Sequence, residues 1–304
     1  MMDIAKEIFD FLKGNGFVCS VQMYNDMEVI CTSSPDNQHV HIIIPLGIES
    51  PDLDKAAELH KKVEETISLI TSRHSEYPLI ITEDRWRRQS EMIKARILAH
   101  LEIFNPVYAR NCEIRRIDRS VAKEFLEANH SYGYATCKYC YGMFLKRHTG
   151  HIAEGLESCG EKADKVTYPS PGTLIAVATF SNSRKWIKGE HTIRSYEWTR
   201  YASLPDVRLS GGMGRILKTF IKEIRPDDIM SYADLEWSTG DVYAQLGFTL
   251  EGQKDPVMFV IDTESWKRSP IKKGTQSEEP AMSKLKYFRN FGSNKYRLKL
   301  TDYE

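Results

Sequence analysis

The chain has 304 residues, 41% of them apolar and 28% charged, an ordinary composition for a folded protein and, at ~100–150 residues per domain, enough for two cores. Its 42 Lys and Arg balance 42 Asp and Glu, which excludes the global basic excess of a non-specific nucleic-acid binder. No stretch approaches the ~18 uninterrupted apolar residues of a membrane span, so no membrane partner is expected.

The opening MMDIAKEIFDFLKGNGF reads as an amphipathic helix stopped by Gly14 and Gly16, without the apolar centre and cleavage site of a signal peptide. Scattered cysteines (Cys19, Cys31, Cys112, Cys137, Cys140, Cys159) in such a chain suit reduced thiols and a cytoplasmic setting. VCSVQMY, MEVICTS and HVHIIIPLGI then read as strands of a small antiparallel sheet, parted by Asn25-Asp26 and by Ser33 to Asn37. A helix capped by Ser50 or Asp52 follows, with Leu53, Ala56, Leu59, Val63, Ile67 and Ile70 at helical spacing.

ITEDRWRRQSEMIKARILAHLEIF reads as one further helix, apolar along Ile93, Ile97, Leu98 and Leu101, with Arg85, Arg87, Arg88, Lys94 and Arg96 on a solvated charged face. Asn105-Pro106 ends it, and a domain change near Tyr108 makes residues 1–107 a small α/β domain. From 108 to 265 the expected order is strand (CEIRRI), helix (RSVAKEFLEANH), strand (YGMFLKR), a polar insertion from His148 to Pro171, strands TLIAVATF and TIRSYEWTRYAS, a glycine loop, helix (GRILKTFIKEI), strand (DIMSYADL), helix (GDVYAQLG) and strand (MFVIDT). This is a mixed α+β layout around one β-loop-α-β unit. Residues 266–304 read as a linker and a C-terminal extension that adds an edge strand.

The strongest chemical feature is VRLSGGMGRILKTFIKEI, where Ser210, Gly211, Gly212 and Gly214 join a strand to a helix. Glycines let several amides converge, and the helix N-terminus adds positive potential, so the loop suits a pyrophosphate. About thirty residues on, SYADLEWSTGDVYAQLGF gives strand, turn and short helix, with Tyr243 four residues before Gly247. Cys137-x-x-Cys140, with Cys159, His130, His148 and His151 nearby, admits a zinc reading, but alternation with Tyr139 and Tyr141 on an ordinary strand is the preferred one, and no metal is expected.

Together these blocks resemble the GNAT acyltransferase superfamily over about ninety residues. The resemblance implies a GNAT-like mixed sheet flanked by helices, acetyl-CoA or another acyl-CoA as acyl donor, and direct attack in a ternary complex. It implies that the loop Ser210, Gly211, Gly212, Met213, Gly214 and Arg215 binds the donor. The family's Arg or Gln before the loop is replaced here by Leu209, with Arg208 standing one place out of register. It implies Tyr243 as general acid toward the thiolate and Glu197 as base toward the amine, with Asp234 and Glu236 as competitors. For each acid alone, a structural ion pair is the better reading.

A narrower resemblance, through FLEANHSYGYATCKYCYGMFLK, LIAVATFSNSRKW and YADLEWSTGDVYAQLGF, is to GNAT-like proteins of phages and mobile elements related to the Mom DNA-modification protein. It implies substrate-side roles for His130, Arg200 and Trp237 and an adenine-modifying alternative, with the Arg-rich helix as DNA contact. TEDRWRRQSEMIKARILAHL is similar to the segment joining a nuclease to such a domain in some homing endonucleases, yet MEVICTSSPDNQHVHIIIPL offers Glu28 without a second acid or lysine, so the nuclease reads as degenerate. A third expectation, a non-catalytic GNAT-fold module, follows from the altered phosphate loop. The acyl acceptor, small amine or nucleic acid, stays open.

Overall fold

The computed structural model describes residues 3–33, 39–74, 76–147, 169–271 and 284–303. The Ser33–Asn37 turn, the His148–Pro171 insertion with Cys159, His148 and His151, and the linker of the tail lie wholly or partly outside the described residues.

Apolar residues at helical spacing bury one side of α1 (Asp3–Gly14) through Ile4, Ile8 and Leu12. β1 (Val18–Tyr24) and β2 (Met27–Ser33) form a hairpin whose turn residues Asn25 and Asp26 both take positive φ, 48° and 55°, as the twist of a two-residue hairpin requires. β3 (His41–Leu46) pairs antiparallel with β2. The chain then crosses through α2 (Leu53–Arg73), capped by Asp52, which accepts from Lys55 N at 2.8 Å, to β4 (Leu79–Thr82), parallel to β3. The N-terminal sheet is therefore mixed rather than antiparallel throughout. The single helix expected from Ile81 is two, α3 (Glu83–Arg88) and α4 (Ser90–His100), because Ile81 and Thr82 are spent in β4 and Gln89 breaks the rest.

There follow β5 (Asn105–Tyr108), β6 (Cys112–Arg116), α5 (Arg119–Asn129), β7 (Tyr139–Leu145), β8 (Leu174–Phe180), β9 (Arg184–Lys188), β10 (His191–Ser203), β11 (Val207–Ser210), α6 (Gly212–Ile224), β12 (Asp228–Asp234), α7 (Asp241–Gln245), β13 (Thr249–Lys254), β14 (Met258–Asp262), β15 (Lys267–Pro270), β16 (Leu285–Arg289) and β17 (Ser293–Lys299). The fold is mixed α+β, with every element expected from 112 to 262 present. β9, β13 and β15 carry too few buried apolar residues to have announced themselves.

The chain packs into two units, and the division is not the linear one expected at Tyr108. Unit 1 comprises Met1–Ile93, Tyr232–Val242 and Leu250–Lys295; unit 2 comprises Lys94–Ser231, Tyr243–Thr249 and Tyr296–Glu304. The reason is visible in the core of unit 1, where Val29, Ile44, Val63 and Ile80 from the N-terminal elements share one apolar cluster with Leu235, Ile261 and Phe288. The three strands β15-β14-β16 thus belong with the N-terminal sheet in one packed unit.

The large sheet has the order β13-β17-β12-β10-β8-β7-β6, with β9 on β10. β17 is accordingly an interior strand, not the edge strand expected of the tail. Its aromatic-basic alternation fits that place, with Tyr296 buried and Arg297 reaching Asp228 at 2.9 Å. Among the described residues, no helix is long and apolar enough to cross a membrane.

Candidate functional site

The glycine loop sits in unit 2, between β11 and α6. Gly211 is the N-cap at φ 74°, a left-handed conformation that costs a side chain strain but suits glycine. At Gly212 a Cβ would lie 2.6 Å from Leu209 and 2.8 Å from the Tyr201 hydroxyl, so only glycine fits that close approach. The first helical bond runs from Arg215 N to Gly211 O at 3.1 Å, leaving Gly212, Met213 and Gly214 as the amides that a helix N-terminus holds without helical acceptors. These features fit a diphosphate: successive amides at a helix N-terminus lack helical acceptors, positive helix potential is added, and Gly211, Gly212 and Gly214 bring no side chains of their own. Of the flanking cations, Arg208 lies over the Phe104 ring, 4.8 Å from its centroid, and Arg215 donates to the carbonyls of Ala109 and Cys112. Ser210 ends β11 opposite Tyr108 and is exposed.

Beside this turn the sheet opens. β10 and β12 pair in parallel only from Ser195 to Glu197 against Asp228 to Met230. Beyond Met230 a side chain replaces the ladder: Ser231 Oγ lies 3.0 Å from the Trp198 carbonyl and 2.8 Å from the Tyr243 hydroxyl. A bulge between Trp198 and Arg200 breaks the register of β10 with β8 at the same level.

Tyr243, on α7, is held by aromatic neighbours. It stacks on Tyr296 at 5.2 Å and meets Phe248 and Trp198 edge-on at 5.5 and 6.4 Å. Trp198 in turn meets Tyr201, whose hydroxyl borders Gly212, and Leu246 at the end of the α7 turn would lie 3.4 Å from a Cβ on Gly214. The phenol and the glycine turn are thus brought into one neighbourhood. Burial raises the pKa of Tyr243 against the lowering pull of Ser231, so the phenol keeps its proton at neutral pH.

Strand alternation, reset by the bulge, puts Trp198 and Tyr201 on the α6 face of β10 and Glu197 and Arg200 on the opposite one. There Arg200 donates from Nε to the Gly133 carbonyl at 3.0 Å, and Gly133 N donates to the His130 carbonyl at 2.8 Å. His130 Nδ1 accepts from Tyr132 N at 3.1 Å. Burial lowers the pKa of Arg200, with Glu197 and Tyr132 pulling it back up. Three residues named from the sequence, His130, Glu197 and Arg200, therefore gather on the face away from Tyr243.

No family model matches the chain, and no curated protein matches it. Solved structures do. It is similar to the GNAT-family acetyltransferase from Bacillus anthracis at 15% identity, over 62% of this chain and 95% of that one, with a TM-score of 0.31. A nourseothricin acetyltransferase aligns at 13% identity over 63% of this chain and 99% of that one, with a TM-score of 0.33. A conserved Enterococcus faecalis V583 protein of unknown function, described as a probable N-acyltransferase, aligns at 12% identity over 51% of this chain and 36% of that one, with a TM-score of 0.31. Likeness at this level decides nothing about the reaction, for which only the chain's own geometry speaks.

The remaining sequence candidates belong to unit 1. Glu236 is fully buried, 2.8 Å from Arg268 Nη1 and 3.2 Å from Arg85 Nε; burial pushes its carboxyl up while both guanidiniums pull it down. Asp234 accepts from Arg85 at 3.4 Å. Arg268 also grips Asp84 at 2.8 Å. These contacts give Asp234 and Glu236 an ion-pair role, as the sequence pattern favours for single acids. They also correct two expectations. Arg85 is buried at 5% exposure instead of lining a solvated face, because it is the counter-charge of Glu236. Trp237 is buried at 3% and offers no open ring face for stacking.

Cys137 and Cys140 are both buried with Sγ atoms 3.3 Å apart, and among the described residues no third His, Cys, Asp or Glu joins them in a cluster of metal-ligand type. Sequence reasoning missed Ser231, Trp198 and Tyr296. Ser231 and Trp198 lie inside unremarkable strand patterns, and Tyr296 is more than fifty residues from the phenol it stacks on.

Proposed function

We propose that the protein is an acyl-CoA-dependent N-acyltransferase, transferring an acetyl group to an amine by direct attack. The observation that carries this reading is the joining, within unit 2, of a glycine-rich helix N-terminus at Gly211–Gly214 to a buried, protonated phenol at Tyr243, next to strands that part after Glu197 and Met230. Acetyl-CoA would supply an acyl group activated as a thioester. The amides of Gly212, Met213 and Gly214 would hold its diphosphate, with Ser210 at the rim. Tyr243 would hold a proton at Oη for the departing sulfur, a task suited to a phenol of unperturbed pKa near ~10. Glu197, on the opposite face with Arg200 and His130, would accept the proton of the incoming amine. Separation of the two groups across the sheet suits a reaction in which donor and acceptor enter from different sides.

The nucleic-acid alternative draws on the Mom-like block and on an exposed Arg-rich helix, and the second support is weakened because Arg85 in that segment is buried in ion pairs. The small-amine reading is therefore preferred, with a cytoplasmic setting as its natural context. Thiol release from acetyl-CoA, measured with a panel of primary amines and checked by the product's mass, tests it. Amine-dependent release is expected; release that never exceeds the amine-free rate would overturn the reading.

A further inference from the structure

Unit 1 holds a cluster that the transferase reading does not use. β3 and β4 are parallel neighbours with Ile43 opposite Leu79, and Glu76 lies in the segment that leads into β4, three residues before Leu79. His39 and His41 stand at the entry of β3, two residues apart. The result is convergence: His39 Nε2 and His41 Nδ1 each lie 3.2 Å from Glu76 Oε2, and the two imidazoles meet edge to face at 4.8 Å. All three ligand atoms fall within 4.8 Å of one another.

We propose that His39, His41 and Glu76 bind one divalent transition-metal ion of the zinc or cobalt type. Two imidazole nitrogens and a carboxylate oxygen are the donor set such borderline cations take, and they leave a position for water. Bond lengths of ~2.0–2.2 Å set ligand-to-ligand edges of roughly 3.3–3.5 Å in a tetrahedral site. The two histidine-to-glutamate edges are already near that length, and a turn of one exposed imidazole closes the third. Glu76 is ready as a ligand: burial would raise its carboxyl, but the facing imidazoles hold it below the usual carboxylate range. Their mutual contacts hold the donors together before any ion arrives, so the metal would clip the entry ends of β3 and β4 together without refolding the unit.

The same contacts also describe a hydrogen-bonded cluster without metal, and the experiment separates the two. The full chain is titrated with Co²⁺ and followed by visible absorption, with Zn²⁺ calorimetry and thermal melting alongside, for the wild type, H41A and the H39A/E76A double variant. The expected result is one ion per chain, visible d–d bands without a near-ultraviolet thiolate band, and a Zn²⁺-dependent rise in melting temperature. H41A weakens binding by about tenfold or more, and the double variant abolishes both binding and the thermal shift. H39A/E76A changes exposed or half-exposed side chains, so its metal-free circular dichroism should match the wild type. No binding to the wild type, undiminished binding in the double variant, or a thiolate-to-cobalt band would each overturn the proposal.

Discussion

Ser231 and Tyr243 lie 2.8 Å apart, hydroxyl to hydroxyl, and the same serine oxygen lies 3.0 Å from the Trp198 carbonyl. Ser231 Oγ is the donor toward both, so its one hydrogen is shared between the Trp198 carbonyl and the Tyr243 oxygen. Once Tyr243 loses its proton, Ser231 can turn its hydrogen to the phenolate. The residue that closes the ladder between two diverging strands therefore also orients the phenol of the proposed acid.

Two variants test this pair. Y243F should lower kcat by about 10²–10⁴-fold while the fold survives, because only the hydroxyl is removed. S231A should shift the alkaline limb of the rate profile upward, since Ser231 lowers the phenol's pKa and its loss leaves burial unopposed. A group acting as acid loses activity as pH rises through its pKa, so a higher pKa extends the active range. A downward or absent shift would remove Ser231 from the mechanism.

Glu197 makes a different prediction because it lies across the strand from the phenol. E197Q should cut kcat by roughly 10²-fold or more and leave the dissociation constant for coenzyme A unchanged. Weakened donor binding with unaltered kcat would place Glu197 on the wrong substrate.

The ion network of unit 1 predicts stability. R268M removes the ion-pair partner of buried Asp84 and leaves Glu236 with Arg85 alone, and should cost about 3–5 kcal/mol in denaturant unfolding. An unchanged midpoint would show the network to be dispensable.

Acid sensitivity follows from Asp84. Burial alone would raise its carboxyl, yet Arg268 and Arg85 hold it below the ordinary range. A depressed folded pKa gives stability that is present above the unfolded value near ~3.9 and lost as pH falls toward the folded one. Melting temperature should drop below about pH 4 in the wild type and fall less steeply in D84N. Equal slopes would contradict the assignment.

How much of the molecule is legible in its sequence depends on how local the signal is. The hairpin at Asn25-Asp26, the Asp52 cap and the Ser210–Gly214 loop are written in adjacent residues, and each stands where the pattern places it. Arg85 is misjudged from sequence because its partner, Glu236, is 151 positions away, and a charge on a helix reads as solvated unless its counter-charge is known. The interior place of β17 is hidden for the same reason: alternation specifies a strand with two unlike faces, not its neighbours. The unit boundaries, drawn by shared cores from distant segments, leave no mark at any one position.

Calorimetric titration of the full chain with coenzyme A, with G212A alongside, tests the diphosphate cradle. A methyl group at 212 would press on Leu209 and the Tyr201 hydroxyl, at 2.6 and 2.8 Å, and so distort the turn. One coenzyme A should bind per wild-type chain, with a loss of at least about tenfold in G212A, equivalent to ~1.4 kcal/mol. Absence of binding to the wild type, or equal affinity in a folded G212A, would refute the cradle and the transferase reading built on it.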